Sequence, residues 1–417
     1  MSIFDRFFNR NKSDQDYFQY RLVLDIGTEY LKASMIEFNK SERSIIAFGR
    51  VRQDYGNMDG GAITNIDGVS RKAREAVDML RDFTPHHADE MVCGIAGEFV
   101  KGVLLSLDFP REKPGKKIDS REIEKIIDEG KEKAYKKAAK MAEMETGIDN
   151  VKLELIQYNI VEIRVDGYKV KNPYQFQGQN LNIIVFYTYA PLVQMGALRT
   201  IARDMGCELV ATMPEPLAVA EGILTTNESY EFGAVIIDIG GGTTDIAMIR
   251  NGGIEGTRMF AMGGRAFTRT LASNLNITLE KAEKIKLAYS SGETVENFKK
   301  VDKLIKSDLH ILYQGIELSL QELADGELLP GHIYFCGGGS GLKGLISGFQ
   351  NINLVEKLPI GRQPVIDVLR GIDIDDINDE HGLLTEVEYT TPRALAYFGS
   401  RFFNEERRLI NLESQRV

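Results

Sequence analysis

One hairpin occurs twice in this chain of 417 residues. RLVLDIGTEYLKASMIEF starts at Arg21 and GAVIIDIGGGTTDIAMIR at Gly233. Laid over each other without a gap, Asp25-Ile26-Gly27 falls on Asp238-Ile239-Gly240, and Met35-Ile36 on Met248-Ile249. Each copy reads as strand, tight turn, strand, because short unbroken apolar runs such as Leu22-Val23-Leu24 suit strands buried on both faces. The separation is too long for a solenoid repeat. It predicts two similar halves, each opening with the same unit.

Composition limits what those halves do. Apolar residues are 43% and charged residues 27%, an ordinary globular mixture. The net charge of −10 supplies no field for phosphate neutralisation, so nucleic acid is not an expected partner. Cys93, Cys207 and Cys336 are far apart and the 5 histidines are scattered, so neither a disulfide framework nor a zinc site can be assembled. The start, MSIFDRFFNRNKS, lacks the apolar core of a secretory signal. The apolar stretch from Leu181 is interrupted by Asn182, Pro191 and Gln194, and reads as a buried strand followed by a helix. A soluble protein, at most attached to a membrane surface, is expected.

Between the hairpins the texture changes. Ser120 to Gly147 is charge-rich, with Asp119 as cap, Glu122 three residues on, and an apolar stripe of Ile123, Ile126, Ile127 and Ala134, which predicts an amphipathic helix. VKLELIQYNIVEIRVDGYKV then alternates like strands around an Asp166-Gly167 turn. Residues 101–180 therefore look like a small α+β insertion. After the second hairpin, 265–329 is mostly helical, HIYFCGGGSGLKGLISGF reads strand, glycine loop, helix, and 371–388 is acidic and loop-like. A helix is expected from Thr391 to about Glu406.

Three glycine-bearing turns follow apolar strands: DIGT at 25–28, DIGGGTT at 238–244 and CGGGSG at 336–341. Glycine lets successive backbone amides close on an anion, and Thr28, Thr243 and Thr244 add hydroxyl donors. The two aspartates cannot both want a phosphate. A hydrated magnesium between them and the phosphates resolves the conflict. Lys32, seven residues after Asp25, can reach a phosphate as a point charge, whereas the equivalent position in the second hairpin is Asp245. The Walker pattern is absent and GGGSGL is not a dinucleotide fingerprint, so the reading is a mononucleotide between two halves.

These motifs resemble the actin/Hsp70/sugar-kinase superfamily. LDIGTEYLK looks like its first phosphate motif, IDIGGGTTDIAMI like the second, and CGGGSGLKGL like the adenosine motif. Within it the chain is similar to the FtsA family of bacterial cell-division actin homologues. VKNPYQFQGQNL at 170–181, GIAGEFV at 94–100, MGGRAFTRTLASNLNITLEKAEKIKLAYSSG at 262–292 and TTPRALAYFG at 390–399 carry that likeness. The resemblance implies an α/β actin-like ATPase fold of two lobes, each with a ribonuclease-H-like sheet flanked by helices, plus a small insertion of the 1C/SHS2 type. Its expected boundaries are an N-terminal amphipathic segment at 1–19, subdomain 1A at 20–100 with 181–230 and 386–410, the insertion at 101–180, and subdomains 2A/2B at 231–385. By position, Asp25 and Asp238 would hold Mg2+ through water. Gly27, Thr28 and Lys32, with Gly240, Gly241, Gly242, Thr243 and Thr244, would contact the phosphates of ATP. Glu283 and Lys286 would reach the ribose and base, and Gly338, Gly339 and Ser340 would line the adenosine. Gln194 stands where actins keep a residue near the attacking water, and Glu215 follows a Glu-Pro pattern of related ATPases.

The likeness implies a scaffold that binds ATP, hydrolyses it slowly at most, assembles into filaments and tethers an FtsZ-like tubulin homologue on the cytoplasmic face of the membrane at the division site. Three departures stand out. The helix of the insertion is long and charged. Arg269 replaces an expected aspartate. RFFNEERRLINLESQRV carries both signs, unlike the basic membrane helix of the family. Membrane contact is therefore expected from Ile3, Phe4, Phe7 and Phe8, opposite Arg6, Arg10 and Lys12. The alternatives are a PilM-like platform of type IV pili and, further off, a chaperone-type or sugar-kinase-type ATPase.

Overall fold

The computed structural model describes residues 18–95, 100–224, 233–250 and 253–401. Ile3, Phe4, Phe7 and Phe8, and the tail beyond Arg401, lie outside the described residues.

The first repeat forms β1 (Gln19–Ile26) and β2 (Tyr30–Phe38), extended by β3 (Arg43–Arg52). The short ribbon β4 (Met58–Asp59) and β5 (Ala62–Ile63) leads into the helix Ile66–Met79, whose first turn is capped by the Asn65 side chain accepting from Gly68 N. β6 (Glu90–Ile95) then pairs parallel to β1.

A separate sheet follows, built from β7 (Lys101–Pro110), β8 (Leu153–Val165), β9 (Tyr168–Val170) and β10 (Asn180–Pro191) in the order β7-β10-β8-β9. The helix Ser120–Thr146 lies on it. Asp119 caps it by accepting from Glu122 N at 3.1 Å, and Gly147 ends it at φ +67°. Ile123, Ile126, Ile127 and Ala134, the stripe expected from sequence, are all buried against Val103, Leu107, Ile183 and Val185. Gly130 sits mid-helix because a Cβ there would come within 2.1 Å of the Tyr187 hydroxyl oxygen. That hydroxyl donates to Ile127 O at 2.8 Å. Arg111 holds the entry loop: its guanidinium reaches both Glu122 oxygens at 2.6 and 2.9 Å, and the carbonyls of Lys116 and Gly178. The Asp166-Gly167 turn has φ +48° and +85° at its two residues, the left-handed pair that a two-residue hairpin requires.

The chain returns through the helix Leu192–Asp204 to β11 (Glu208–Pro214), parallel to β6, and then the helix Glu215–Leu224. The second repeat forms β12 (Ala234–Ile239) and β13 (Thr244–Arg250), extended by β14 (Gly253–Phe260). After the helices Gly264–Leu275, Leu279–Ser291 and Phe298–Ala324, β15 (His332–Cys336) and β16 (Val365–Val368) add parallel to β12. β17 (Asn378–Asp379) crosses back to pair with β3. The two large sheets thus run β11-β6-β1-β2-β3-β17 and β16-β15-β12-β13-β14: an antiparallel meander followed by parallel strands, built the same way in each lobe. This is the actin-like ATPase fold.

One apolar cluster joins the lobes. Val23, Ile36 and Val92 from the first sheet, and Ile236, Ala247 and Ile249 from the second, pack around the helices Glu215–Leu224 and Thr390–Arg401. Both helices are buried nearly all round, which suits an element with sheets on both sides rather than a surface helix. They fix the ends of β1 and β12 toward a common cleft.

Candidate functional site

The two repeated turns face each other across a cleft of about 390 Å³. They are in direct contact. A Cβ on Gly241 would lie 2.8 Å from Glu29 Cβ, and one on Gly242 would lie 2.8 Å from Thr28 Oγ1, so any side chain at either position would wedge the turns apart. Gly337, at φ +79°, lets the third turn pass beside Asp238, where a Cβ would meet Asp238 Oδ1 at 2.0 Å. Gly264 N and Arg265 N donate to Gly240 O and Gly241 O at 2.9 and 2.8 Å, tying the start of the helix Gly264–Leu275 to the second turn.

The floor of the cleft is acidic. Asp25 and Asp238 are buried at the ends of β1 and β12. Lys32, opposite Asp25 in the register of β1 and β2, bonds Asp25 Oδ2 at 2.8 Å. Thr391 Oγ1 donates to Asp238 Oδ2 at 2.5 Å. Glu215, at the first position of its helix, is also buried, and its Oε1 has no hydrogen-bond partner among the described residues. Burial, joined by the charges of Asp25, Asp238 and Asp245 and partly relieved by Lys32, pushes the Glu215 carboxyl well above its ordinary value. Burial likewise raises Asp238, against the pull of Thr391 and Lys32 and with a further push from Asp25. A buried like-charge cluster with one ammonium is incomplete without another cation.

Among the described residues no three carboxylate, imidazole or thiol side chains converge closely enough to hold a metal by themselves. Asp25, Asp238 and the orphan oxygen of Glu215 do fit a hydrated divalent cation that keeps several waters and takes its remaining ligands from phosphate. Cys93 and Cys336, beneath these carboxylates, are pushed far up by burial and serve as small apolar side chains.

On the far wall, Glu283, Lys286, Leu287 and Ser290 recur at helical spacing along Leu279–Ser291 and line the cleft. Lys286 Nζ sits 2.9 Å from Glu283 Oε2 and donates to Gly264 O at 3.0 Å and Thr268 Oγ1 at 3.1 Å. Thr268 Oγ1 also bonds Glu283. Gly338 and Gly339 complete this side.

The fold brings together Asp25, Gly27, Thr28, Lys32, Glu215, Asp238, Gly240, Gly241, Glu283, Lys286, Gly338 and Gly339 as cleft-lining residues. Others support the turns from behind. Thr243 Oγ1 donates to Asp245 Oδ2 at 2.7 Å, Thr244 Oγ1 to Met262 O at 2.7 Å, and Ser340 Oγ to Cys336 O at 2.5 Å, while Gly242 packs on Thr28. Gln194 is not brought to the cleft. Its amide spans the backbone of Ile63 in β5, accepting from N at 3.1 Å. Sequence reasoning did not single out Glu29, Arg265, Arg50, Glu388 or Thr391, which also line the cleft. Glu29, Arg265 and Thr391 lay inside quoted motifs without a role of their own, and no pattern marks Arg50 or Glu388.

A sequence model described as "Cell division protein FtsA" matches residues 235–380, and one described as "MreB/Mbl protein" matches 163–304. The FtsA cell-division protein of Streptococcus pneumoniae is 25% identical over 395 residues, covering 89% of this chain and 82% of that protein. That of Neisseria meningitidis serogroup B is 28% identical over 272 residues, covering 65% and 61%. The chain is similar to FtsA-type, actin-like proteins. The FtsA-type match spans less than two thirds of the Neisseria relative, and likewise 56% of the Bacillus subtilis one. Among solved structures, a PilM–PilN type IV pilus biogenesis complex superposes with a TM-score of 0.65 at 19% identity, over 92% of this chain and 99% of the other, which shows the shared fold.

Proposed function

We propose that the cleft binds ATP with Mg2+, and that this chain is a cell-division scaffold whose nucleotide sets its conformation. The observation that carries the reading is the pair of acidic turns, one from each lobe, meeting over a buried carboxylate cluster served by the single ammonium of Lys32. Gly27, Thr28, Gly240 and Gly241 would take the phosphates, and Glu283, Lys286, Gly338 and Gly339 the ribose and base. Asp25 and Asp238 would hold the magnesium, which would neutralise phosphate charge. Burial and the neighbouring aspartates push the Glu215 carboxyl up, so it would be less available as a proton acceptor unless a cation offset those charges. With Gln194 committed to Ile63, little remains to orient a water, which favours slow hydrolysis and a conformational role for the ligand.

Closed lobes would then present complementary ends for head-to-tail assembly, a heterologous contact that makes filaments. On the cytoplasmic face of the membrane these would tether an FtsZ-like tubulin homologue. Among the described residues no helix is long and apolar enough to cross a membrane. Attachment through Ile3, Phe4, Phe7 and Phe8 belongs to this reading and rests on sequence alone.

Calorimetry with ATP and Mg2+ tests the site: Asp25→Ala with Asp238→Ala should abolish metal-dependent affinity, and unchanged affinity refutes the reading. ATP-dependent filaments on a lipid monolayer, seen by electron microscopy, test the scaffold. Pelleting of liposomes should be lost with Phe4→Glu and Phe7→Glu. A pilus-platform reading shares the fold; binding of a pilus-subunit peptide in place of an FtsZ-tail peptide would favour it.

A further inference from the structure

The cations of the cleft are unequally committed. Lys32 is matched by Asp25 at 2.8 Å, Lys286 by Glu283 at 2.9 Å, and Arg50 by Glu388 at 3.4 Å. Glu29 is shared. Its Oε1 accepts from Arg52 Nε at 2.7 Å and its Oε2 from Arg265 Nε at 2.6 Å. One carboxylate thus serves two guanidinium groups, leaving a surplus positive charge beside the meeting point of the two turns.

Arg265 is the buried member of that pair. The residue is 9% exposed, and its guanidinium carbon lies 4.7 Å from the centroid of the Tyr55 ring. Its Nη2 is buried without a hydrogen-bond partner among the described residues. It lines the same cleft as Thr28, Gly240 and Gly241. A guanidinium N–H withdrawn from water and left unpaired is costly, and arginine's planar fork is shaped for oxygen anions. Glu29 cannot complete the fork, since its second oxygen is engaged by Arg52. Burial would raise the Glu29 carboxyl, but the two arginines outweigh it and hold it below its ordinary value, so it stays charged and keeps Arg265 in place.

We propose that Arg265 is an anion-binding residue of the cleft, a polyphosphate contact lying outside the glycine-turn motifs, with Glu29 as the residue that positions it. The ligand's identity as a nucleotide rests on the function proposed above; the polyphosphate contact does not. Because Glu29 belongs to the first lobe and Arg265 to the second, a phosphate held by Arg265 would also fasten the lobes together. A simple inter-lobe ion pair would use Nε and leave Nη2 unexplained.

The test measures affinities of the full chain for ATP, adenosine and inorganic tripolyphosphate by calorimetry. Arg265→Gln should weaken ATP and tripolyphosphate by about 10- to 100-fold, the range of a charge-assisted hydrogen bond, and leave adenosine unchanged. Arg265→Lys keeps the charge against Glu29 but loses the fork, and should recover only part of that affinity. Glu29→Gln should weaken the same two ligands less, with adenosine again unmoved. Equal ATP affinity in wild type and Arg265→Gln overturns the assignment and leaves the nucleotide reading standing, as does a parallel loss of ATP and adenosine. Tripolyphosphate bound by wild type and lost in Arg265→Gln, with ATP bound by neither, supports the assignment and removes the nucleotide reading. Binding of neither ligand by wild type overturns both.

Discussion

Glu215→Gln should stabilise this protein in the absence of ligand, although it alters a buried residue at the centre of the cleft. In wild type the carboxyl lies among Asp25, Asp238 and Asp245, has an unpartnered Oε1, and is pushed well above its ordinary value, chiefly by burial. The proton is therefore bound more tightly in the folded than in the unfolded chain. The stability this group contributes is complete below the ordinary value of 4.5 and is lost as pH rises through the raised value. The amide has the same shape, carries no charge at any pH, and can donate to the neighbouring carboxylates. Wild type loses about 1.4 kcal/mol of stability per pH unit above the ordinary value until the raised value is reached, a penalty the amide does not carry, and each such unit is worth a few degrees in Tm for a chain of this size. Thermal melts of both proteins without nucleotide or Mg2+, from pH 5 to pH 8.5, read the difference. The variant's advantage should grow with pH and vanish toward pH 5, where the wild-type carboxyl is as neutral as the amide. Added Mg2+ and ATP should stabilise wild type more than the variant, reversing the order. An advantage independent of pH, or a variant less stable at pH 8.5, would refute the argument that Glu215 is held protonated by its surroundings.

Other substitutions probe the neighbouring contacts. Gly241→Ala would place a Cβ 3.1 Å from the Glu29 backbone nitrogen, which cannot rotate aside, so the turns should part and ATP affinity fall at least tenfold by calorimetry while the circular dichroism spectrum is kept. Thr391→Val removes the 2.5 Å donor to Asp238; the Asp238 carboxyl should rise further and Mg2+-dependent ATP affinity drop by about 1.5–3 kcal/mol, read by magnesium titration. Gln194→Ala should leave single-turnover hydrolysis unchanged, because its amide is bound to Ile63; a large loss of rate would return that side chain to the chemistry. Arg111→Ala strips both oxygens of Glu122 and two loop carbonyls of a buried cation, and should cost about 3–5 kcal/mol locally, seen as faster hydrogen exchange over 111–122 with the cleft unaffected.

The elements and their symmetry were legible in the residues alone. A hairpin repeated with Asp25 over Asp238 required two like lobes, and the same register, Asp25 opposite Lys32 and Asp238 opposite Asp245, appears in both sheets. The apolar stripe from Ile123 to Ala134 placed the helix Ser120–Thr146 because side-chain periodicity is a local property of the chain. The glycine turns were legible for the same reason: close backbone approach is written in the absence of a Cβ. Which polar side chains meet across the cleft emerged from the packing of the folded chain. Gln194 read as a cleft residue by position along its helix, yet the short ribbon at Ile63 claims its amide. Glu29 and Arg265 lie in separate motifs some 236 positions apart, and nothing short of the packing of one lobe on the other reveals that they touch. Thr391 meets Asp238 only because the helix Thr390–Arg401 is buried between the two sheets. Backbone conformation and amphipathic faces follow from neighbours in sequence. Charge pairing in a buried cleft follows from neighbours in space, and desolvation makes those few pairings decide its chemistry.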